Sequence, residues 1–276
     1  MIDLHIHSNL SDGSLSPKEI IEKCAEKAIT VIGITDHWKT RRYDEKQYVT
    51  DIKKHMEMCT SLHDFALDCG ITVKIGLEID FSKKYGIDIP INIIKEMNMF
   101  DYLLFEYVDT ESESWGSIHG KSIYDLVNIT KNVSIPIGLA HNDFQKNYTE
   151  DYQEIIALMC DNNIFLELCE GEPMGGKKVN PSTLKNLLSA KRNMSDLPIY
   201  HQDDPINRNK HIRGDKYYFE WFTEDMWENI KQKQLKISIG TDSHNGTHLG
   251  NYTNALSYIK KYDLYDQIVF DLGICI

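Results

Sequence analysis

Short apolar runs alternate with longer amphipathic runs along most of the chain, and this alternation predicts the elements of the fold. The short runs are rich in β-branched residues, and the longer runs repeat apolar residues at helical spacing. Strands that alternate with helices are typical of a largely parallel sheet. The predicted strands are residues 2–7, 31–35, 73–79, 102–108, 135–140, 164–168 and 236–240.

The amphipathic runs predict the helices between these strands. Ser16 caps the first helix, Pro17 suits its first turn, and Glu19 completes a capping box. Apolar residues recur at helical spacing between residues 44 and 69, which predicts one long second helix. Further helices are expected after Pro90, near Ser122, after Thr149, after Pro181 and after Thr223.

The length of 276 residues allows either two ordinary domains or one α/β barrel, which commonly needs about 250 residues. No repeat or low-complexity linker divides the chain, so we expect a single domain over residues 1–276. Residues 196–222 fit the alternation poorly. We expect an inserted loop region there, with a short strand at residues 198–201.

The chain is acidic, with a formal net charge of -12 and a sequence pI near 5.4. Nucleic acids and anionic membranes bind basic surfaces, so this charge argues against both as partners. An anionic substrate would therefore need a local cation, either a metal ion or a few placed arginines.

The cysteines and the hydropathy indicate an ordinary cytoplasmic protein. The six cysteines are scattered without CxxC spacing, and we interpret them as reduced core thiols. No apolar run approaches the ~20 residues of a membrane span, and the N-terminus does not resemble a signal peptide.

Two histidines near the N-terminus are the first candidates for chemistry. His5 and His7 stand two apart in a predicted strand, so their side chains point to the same face and can converge on one ion. Taken alone, a buried structural pair explains this spacing equally well.

Histidines and carboxylates recur at the ends of five of the seven predicted strands. The carboxyl ends of the strands form the face where active sites assemble in barrels and open α/β sheets. A single member would be an ordinary loop residue, but so many neighbouring polar groups need a ligand. Imidazoles with carboxylates suit Zn, Mn or Fe, and their number suits more than one ion. The candidate metal ligands are His5, His7, Asp12, His37, Glu78, His141, Asp242 and His244.

The motifs around these residues, in this order and spacing, resemble the polymerase-and-histidinol-phosphatase (PHP) family of metal-dependent phosphoesterases. The motifs are "HIH", "SDG", "TDH", "GLEI", "LAH" and "GTDSH", and the resemblance runs from residue 3 to about residue 250. It implies a distorted (β/α)7 barrel with two or three divalent metal ions at the carboxyl ends of the strands. It also implies that a metal-bound hydroxide attacks phosphorus.

The resemblance further implies which residues serve each ion. The two histidines of the first strand bind one ion together with Glu78 and Asp242. Glu78 bridges to a second ion that it shares with His141. A third ion is held by Asp12, His37 and His244. We expect Glu78, Asp242 and His244 to take part directly in catalysis.

One family ligand is missing from this chain. The family usually has a histidine at the end of the fourth strand, where this chain reads "FDYLLFEYV" and has Val108. Glu106 lies two residues earlier, on the same face of a regular strand, and could replace the histidine. His119 in the following loop is a second candidate, and a site that is lost or completed by water is the third possibility.

Other residues are candidates for supporting roles. Asp36 and Asp143 lie beside predicted ligand histidines and either orient them or cap helices. Arg208 and Arg213 lie in loops on the catalytic side, and arginine suits a phosphate through bidentate hydrogen bonds.

The sequence thus predicts a hydrolase that cleaves a small-molecule phosphomonoester. An exonuclease or nucleotide phosphodiesterase of the same fold is an alternative, although the acidity of the chain argues against action on oligonucleotides. A barrel that serves as a non-catalytic, metal-binding regulatory module is a second alternative, supported by Val108.

Overall fold

Seven parallel strands form the central sheet of the computed structural model, which describes residues 1–112, 118–171, 212–213 and 216–270. The strands pair in the order in which they occur along the chain. They are β1 (Ile2–Ile6), β2 (Val31–Ile34), β3 (Thr72–Asp80), β4 (Tyr102–Glu106), β5 (Ile137–Leu139), β6 (Ile164–Cys169) and β7 (Ile237–Gly240). All seven were predicted from the sequence.

Contacts between the first and last strands nearly close the sheet into a barrel. The backbone N–H of His7 donates to the carbonyl of Ser243 at 3.0 Å, just beyond the ends of β1 and β7. The carboxylate of Asp3 in β1 accepts from both the backbone N–H and the hydroxyl of Thr241, at 3.0 and 2.7 Å. The prediction of a distorted barrel of strands and flanking helices is confirmed.

Helices follow the strands around the barrel. The described helices are α1 (Pro17–Glu26), α2 (Ile52–Thr60), α3 (His63–Asp68), α4 (Ile91–Glu96), α5 (Ile123–Thr130), α6 (Phe144–Asn147), α7 (Tyr152–Asp161), α8 (Glu224–Lys233) and α9 (Thr253–Tyr262). The capping box of Ser16 and Glu19 is present at α1. The helix predicted after Pro181 lies outside the described residues.

The single long helix predicted for residues 44–69 is wrong. Residues 45–47 form one 3₁₀ turn, and the backbone N–H of Val49 then donates to the carbonyl of His37 at 2.7 Å. Asp51 caps the new helix α2 through the backbone N–H groups of Lys53 and Lys54. Pairing with a neighbouring extended segment therefore outweighs the helical spacing of the apolar residues.

The segment that pairs with Val49 is a short continuation of the second strand. After β2 the chain leaves the sheet for two residues and returns as the strand His37–Trp38, which pairs with Glu78 and Ile79 of β3. This return places His37 directly beside Glu78.

Part of the predicted insertion belongs to the packed core. An antiparallel pair of two-residue strands, Ile212–Arg213 and Lys216–Tyr217, leads into the 3₁₀ turn Tyr218–Trp221. Tyr218 and Phe219 are buried, and the Tyr218 hydroxyl donates to the carbonyl of Glu167 at 2.6 Å. Residues 196–211, with the strand predicted at 198–201, lie outside the described residues, so the boundaries of the insertion stay a prediction.

Large side chains fill the inside of the barrel, and they fit only where residues on other strands are small. The Tyr102 hydroxyl crosses the barrel and donates to the carbonyl of Leu4 at 2.6 Å. A Cβ atom at Gly33 would lie 1.9 Å from that hydroxyl, so only glycine fits there. Among the described residues, no helix is long and apolar enough to span a bilayer.

Candidate metal centre

The eight predicted ligands come together at the carboxyl end of the barrel. Each has a nitrogen or oxygen atom within 3.3 Å of another member. Strands β1 and β3 supply His5 and Glu78, the short strand His37–Trp38 supplies His37, and the others follow the ends of strands. That these residues bind metal stays a prediction, because contact alone does not identify a ligand.

Four of them form a fully buried group around one point. His5 Nε2 and His7 Nε2 are 3.1 Å apart. Each nitrogen faces both carboxylates: Glu78 Oε2 at 3.4 and 3.3 Å, and Asp242 Oδ1 at 3.4 and 3.0 Å. Four ligands placed ~2.1 Å from a tetrahedral zinc ion would be separated by about 3.4 Å. The donor set and its spacing therefore fit a divalent ion.

Glu78 presents its two oxygens to different sides of the centre. Its Oε2 lies 3.1 Å from His37 Nδ1 in addition to the contacts above, whereas its Oε1 lies 2.9 Å from His141 Nε2. A carboxylate in this position can bridge two neighbouring cations.

Asp12 contacts three imidazoles and forms a second group with them. Its Oδ2 lies 3.3 Å from His244 Nε2 and 3.7 Å from His37 Nε2, and its Oδ1 lies 3.5 Å from His7 Nδ1. The rings of His7 and His244 stack with centroids 4.2 Å apart. Together these four residues can surround one further ion.

The electrostatics of the centre favour bound cations. Burial lowers the pKa of His7, but the hydrogen bonds that its ring donates to Asp242 and Glu78, together with the charge of Asp12, outweigh burial and raise the pKa to about 10. Burial lowers the pKa of His37 to about 3, in spite of the charge of Glu78. The carboxylates thus create a strongly negative potential at one imidazole and leave another neutral, which is the form that binds metal.

Glu167 orients the centre from the neighbouring strand β6, and the sequence reasoning missed it. Its Oε1 lies 2.8 Å from His5 Nδ1, and its Oε2 accepts from the backbone N–H of His141 at 2.7 Å. A carboxylate on Nδ1 leaves Nε2 of His5 directed at the four-residue group. A Cβ at Gly240 would lie 2.4 Å from Oε1 of Glu167, so the glycine makes room for this contact. The available signal was a lone acidic residue inside the apolar strand "IFLELC".

Two of the candidate ligands lie on strained backbone. His141 and Asp242 have positive φ angles of 32° and 46°, each two residues beyond the end of a strand. Residues other than glycine rarely adopt this backbone conformation, and it recurs at functional sites. The left-handed turns aim both side chains back across the mouth of the barrel.

A sequence profile of the PHP domain matches residues 3–171 of this chain, which is more than half of its length. The chain belongs to the PHP domain family. The matched stretch contains six of the eight candidate ligands, and Asp242 and His244 lie beyond it. The resemblance predicted from the motifs is confirmed.

Solved structures share the fold of this PHP domain. Histidinol phosphate phosphatase from Lactococcus lactis subsp. lactis Il1403, solved with zinc, L-histidinol and phosphate, aligns with a TM-score of 0.56 and 18% identity, covering 95% of this chain and 93% of that one. A proposed histidinol phosphatase from Listeria monocytogenes aligns with a TM-score of 0.50 and 10% identity, covering 92% and 99%.

A curated relative matches a much shorter stretch. The 3',5'-nucleoside bisphosphate phosphatase of Chromobacterium violaceum is 50% identical over 36 residues. These residues are 13% of this chain and 13% of that protein, so the match leaves most of the relative's length uncovered.

The fourth strand of this PHP domain ends differently from a regular strand. β4 ends at Glu106, and Tyr107 and Asp109 then have positive φ angles of 65° and 51°. Val108 is buried, and its carbonyl accepts from the Asn142 side chain at 2.7 Å. Because the strand stops before Val108, Tyr107 also turns towards the centre, and its ring centroid lies 6.4 Å from that of His141.

The two candidate replacements for the missing histidine lie in different places. Glu106 is buried within the centre, with its Oε1 3.9 Å from His37 Nδ1. The same carboxylate pairs with Arg42, a partly buried cation that the sequence reasoning missed. His119 is exposed on the two-residue strand Ile118–His119, which pairs antiparallel with Glu111–Ser112, and it belongs to none of the possible metal-binding groups among the described residues. Of the two candidates, Glu106 is the one that lies beside the other candidate ligands, and its replacement of the histidine stays a prediction.

Asp36 and Asp143 fix loops of this PHP domain. Asp36 accepts from the backbone N–H and hydroxyl of Ser8 and from the Ser11 hydroxyl, at 2.6 to 2.7 Å, and so holds the turn that carries Asp12. Asp143 caps α6 through the backbone N–H of Lys146. The helix-capping interpretation of Asp143 is the one that the structure supports.

The predicted phosphate-binding arginines are not tested by the structure. Arg208 lies outside the described residues. Arg213 is described only as a strand residue paired with Lys216.

Proposed function

We propose that this PHP domain is a metal-dependent phosphoesterase that hydrolyses a small-molecule phosphomonoester at a multinuclear metal centre. The observation that carries the proposal is the buried group of His5, His7, Glu78 and Asp242. Each of the two imidazole nitrogens lies 3.0 to 3.4 Å from the other nitrogen and from both carboxylates. Burying four polar groups together is costly unless they bind a ligand that compensates them.

The residues divide the work of the centre between them. Divalent ions would lower the pKa of a bound water and neutralise the oxygens of a phosphoryl group. The four buried residues would hold one ion, and the group around Asp12 would hold another. Glu78 would offer Oε2 to the first ion, while its Oε1 faces His141 on the other side.

His244 is the member of the centre best placed to meet a substrate. Its side chain is 27% exposed, whereas the other imidazoles of the centre are 3% exposed or less. An imidazole at the mouth can donate a hydrogen bond to a phosphoryl or leaving-group oxygen. We therefore retain His244, with Glu78 and Asp242, as the residues that act directly in the reaction.

The charge of the chain and its relatives support a small substrate. A net charge of -12 disfavours binding of a polyanion such as an oligonucleotide. A small anionic substrate would be attracted by the metal ions. The histidinol phosphate phosphatase and the nucleoside bisphosphate phosphatase are both named for removing phosphate from small molecules. These names support the class of substrate and leave its identity open.

The proposal is tested by metal analysis and a substrate panel on the same preparation. The chain is loaded with Mn or Zn, its metal content is measured, and it is assayed on p-nitrophenyl phosphate, the bis-ester, nucleotides and oligonucleotides. We expect bound metal and preference for monoesters, and we expect His7→Ala to abolish turnover while the fold is retained. His63→Ala is the matched control, because His63 lies on α3 away from the centre.

The alternatives predict different outcomes of this panel. Preference for the bis-ester or for oligonucleotides would indicate a phosphodiesterase or nuclease. Bound metal without turnover on any substrate would indicate a regulatory module. Less than one ion per chain without turnover would overturn the proposal.

A further inference from the structure

Arg42 is a fixed positive charge inside the candidate metal centre. Its Nη2 donates to Glu106 Oε1 at 2.5 Å and lies 3.9 Å from Asp80 Oδ2, and its Nη1 donates to the Tyr107 hydroxyl. The side chain is 17% exposed. An arginine keeps its charge at every accessible pH, so this cation is permanent.

Two tyrosines and an anchored loop hold this guanidinium in place. Its central carbon lies 4.7 Å from the ring centroid of Tyr43 and 4.8 Å from that of Tyr107. The backbone N–H of Arg42 donates to the Thr40 hydroxyl, which itself donates to Asp80. Stacking between aromatic rings favours a cation where it is and opposes its displacement.

The partner of Arg42 lies at the end of the strand that lacks the family's metal ligand. Glu106 occupies the end of β4, where Val108 offers no donor atom. Its oxygen can join His37 and Glu78 in a group whose donor atoms all lie within 4.8 Å of one another. Glu106 thus faces the ligands of the centre on one side and Arg42 on the other.

We propose that Arg42 takes the place of a metal ion in this centre, and that its pairing with Glu106 limits the chain to two ions. The inference rests on the proposed function, because it presupposes that the remaining ligands bind metal. A carboxylate held by a guanidinium has less charge to offer a further ion, and the guanidinium repels a divalent cation beside it. Glu106 is therefore a positioning partner of Arg42 and not a metal ligand in the native chain.

The test is the number of ions per chain in matched variants. Each protein is stripped with a chelator, equilibrated with excess Zn, freed of unbound metal by gel filtration, and analysed for metal and protein content. We expect two ions in the wild type and three in Arg42→Gln, because Glu106 is then free to act as a ligand beside Glu78. Arg41→Gln is the matched control and should keep two ions, because Arg41 is next to Arg42 in the sequence but its side chain is exposed.

A second pair of variants asks whether Glu106 is the ligand that is released. Glu106→Gln alone should keep two ions, and Arg42→Gln combined with Glu106→Gln should also keep two. Unfolding temperatures of the metal-free proteins show which variants remain folded. If Arg42→Gln fails to fold, the single Glu106→Gln variant still tests whether Glu106 is a metal ligand, because loss of an ion in this variant would show that it is.

Three results would overturn the inference. Two ions in a folded Arg42→Gln would show that the guanidinium does not exclude an ion. Three ions in the wild type that fall to two in Glu106→Gln would show that Glu106 binds metal despite Arg42. A wild type that binds no metal would remove the inference together with the proposed function, whereas the first two results leave the proposed function standing.

Discussion

At the scale of single residues, the centre buries carboxylates that repel one another unless protons or metal ions lie between them. The donor atoms of His5, His7, Glu78 and Asp242 all lie within 4.8 Å of one another, and all four residues are buried. Protons on the histidines compensate the carboxylates in the metal-free protein, which agrees with the pKa of about 10 at His7. Two effects of substitution follow from this arrangement.

Removing one carboxylate should lower activity and stability together. Asp242→Asn removes a ligand and a buried negative charge, so we expect phosphoesterase activity to fall by at least about 100-fold. The metal-free variant should also unfold at a lower temperature than the wild type, because the protonated His7 loses a buried carboxylate partner 3.0 Å away. Turnover of p-nitrophenyl phosphate and thermal unfolding without metal measure the two effects. A metal-free variant that is as stable as the wild type would contradict this account of the group.

Removing the orienting carboxylate should weaken metal binding without removing a ligand. In Glu167→Gln, the side-chain amide has one acceptor oxygen in place of two. It can accept from His5 Nδ1 or from the backbone N–H of His141, but not from both. We expect the affinity for Zn to fall ~10–100-fold, as is usual when a group that orients a ligand histidine is lost. A competition titration against a chromogenic chelator measures it, with Glu170→Gln from the same strand end as control. Equal affinities in the wild type and Glu167→Gln would refute the orienting role.

At the scale of elements, the end of β6 connects the centre to the segments that follow it. Tyr218 anchors the 3₁₀ turn to this strand: its hydroxyl donates to the carbonyl of Glu167 and accepts from the backbone N–H of Cys169 at 3.0 Å. Glu170 reaches the first turn of α9, where it accepts from the backbone N–H of Ala255 at 2.6 Å. Both contacts lie immediately beside the orienting carboxylate.

Loss of the Tyr218 hydroxyl should destabilise the fold. Tyr218→Phe leaves a buried N–H and a buried carbonyl without this partner, and we expect a cost of about 1–3 kcal/mol in the free energy of unfolding. Urea unfolding of the variant, compared with Tyr265→Phe at a partly exposed tyrosine, measures the difference. A cost equal to that of the control would mean that the turn is not part of the core.

Glu170 should make stability depend on pH. Burial raises the pKa of its carboxyl to about 7, although hydrogen bonds from Ala255 and Asn254 lower it. The folded chain therefore holds this proton more tightly than the unfolded chain, and its contribution to stability is lost as pH rises from about 4.5 to about 7. Glu170→Gln should gain up to ~2–3 kcal/mol relative to the wild type at pH 8 and little at pH 4.5. Urea unfolding at the two pH values measures this, with Glu150→Gln on the surface as control. A gain that is the same at both would exclude titration of Glu170 as the cause.

At the scale of the whole molecule, most of the barrel and of its centre could be predicted from the sequence. The seven strands are short apolar runs whose periodicity is local, and polar residues at their ends necessarily meet at one face of a parallel barrel. This is why eight residues spread between positions 5 and 244 could be grouped without a structure.

The features that escaped prediction depend on contacts between distant segments. The break in the predicted second helix arises because Val49 pairs with the strand His37–Trp38. Arg42 reaches the centre because that same strand returns to the sheet, and nothing in the loop sequence marks this. Glu167 is a single acidic residue in an apolar strand, and only its contact with His5, two strands away in the barrel, gives it a role.

The central claim is that the buried centre binds divalent ions and that these ions support phosphomonoester hydrolysis. The most direct measurement is stepwise reconstitution: the chain is stripped with a chelator, Mn or Zn is returned in fractions of one equivalent, and bound metal and turnover of p-nitrophenyl phosphate are recorded at each step. The account predicts that stripping abolishes turnover and that turnover returns as the buried centre fills, in the wild type but not in His7→Ala. A metal-free chain that retains full turnover, or a His7→Ala variant that recovers it equally, would contradict the account.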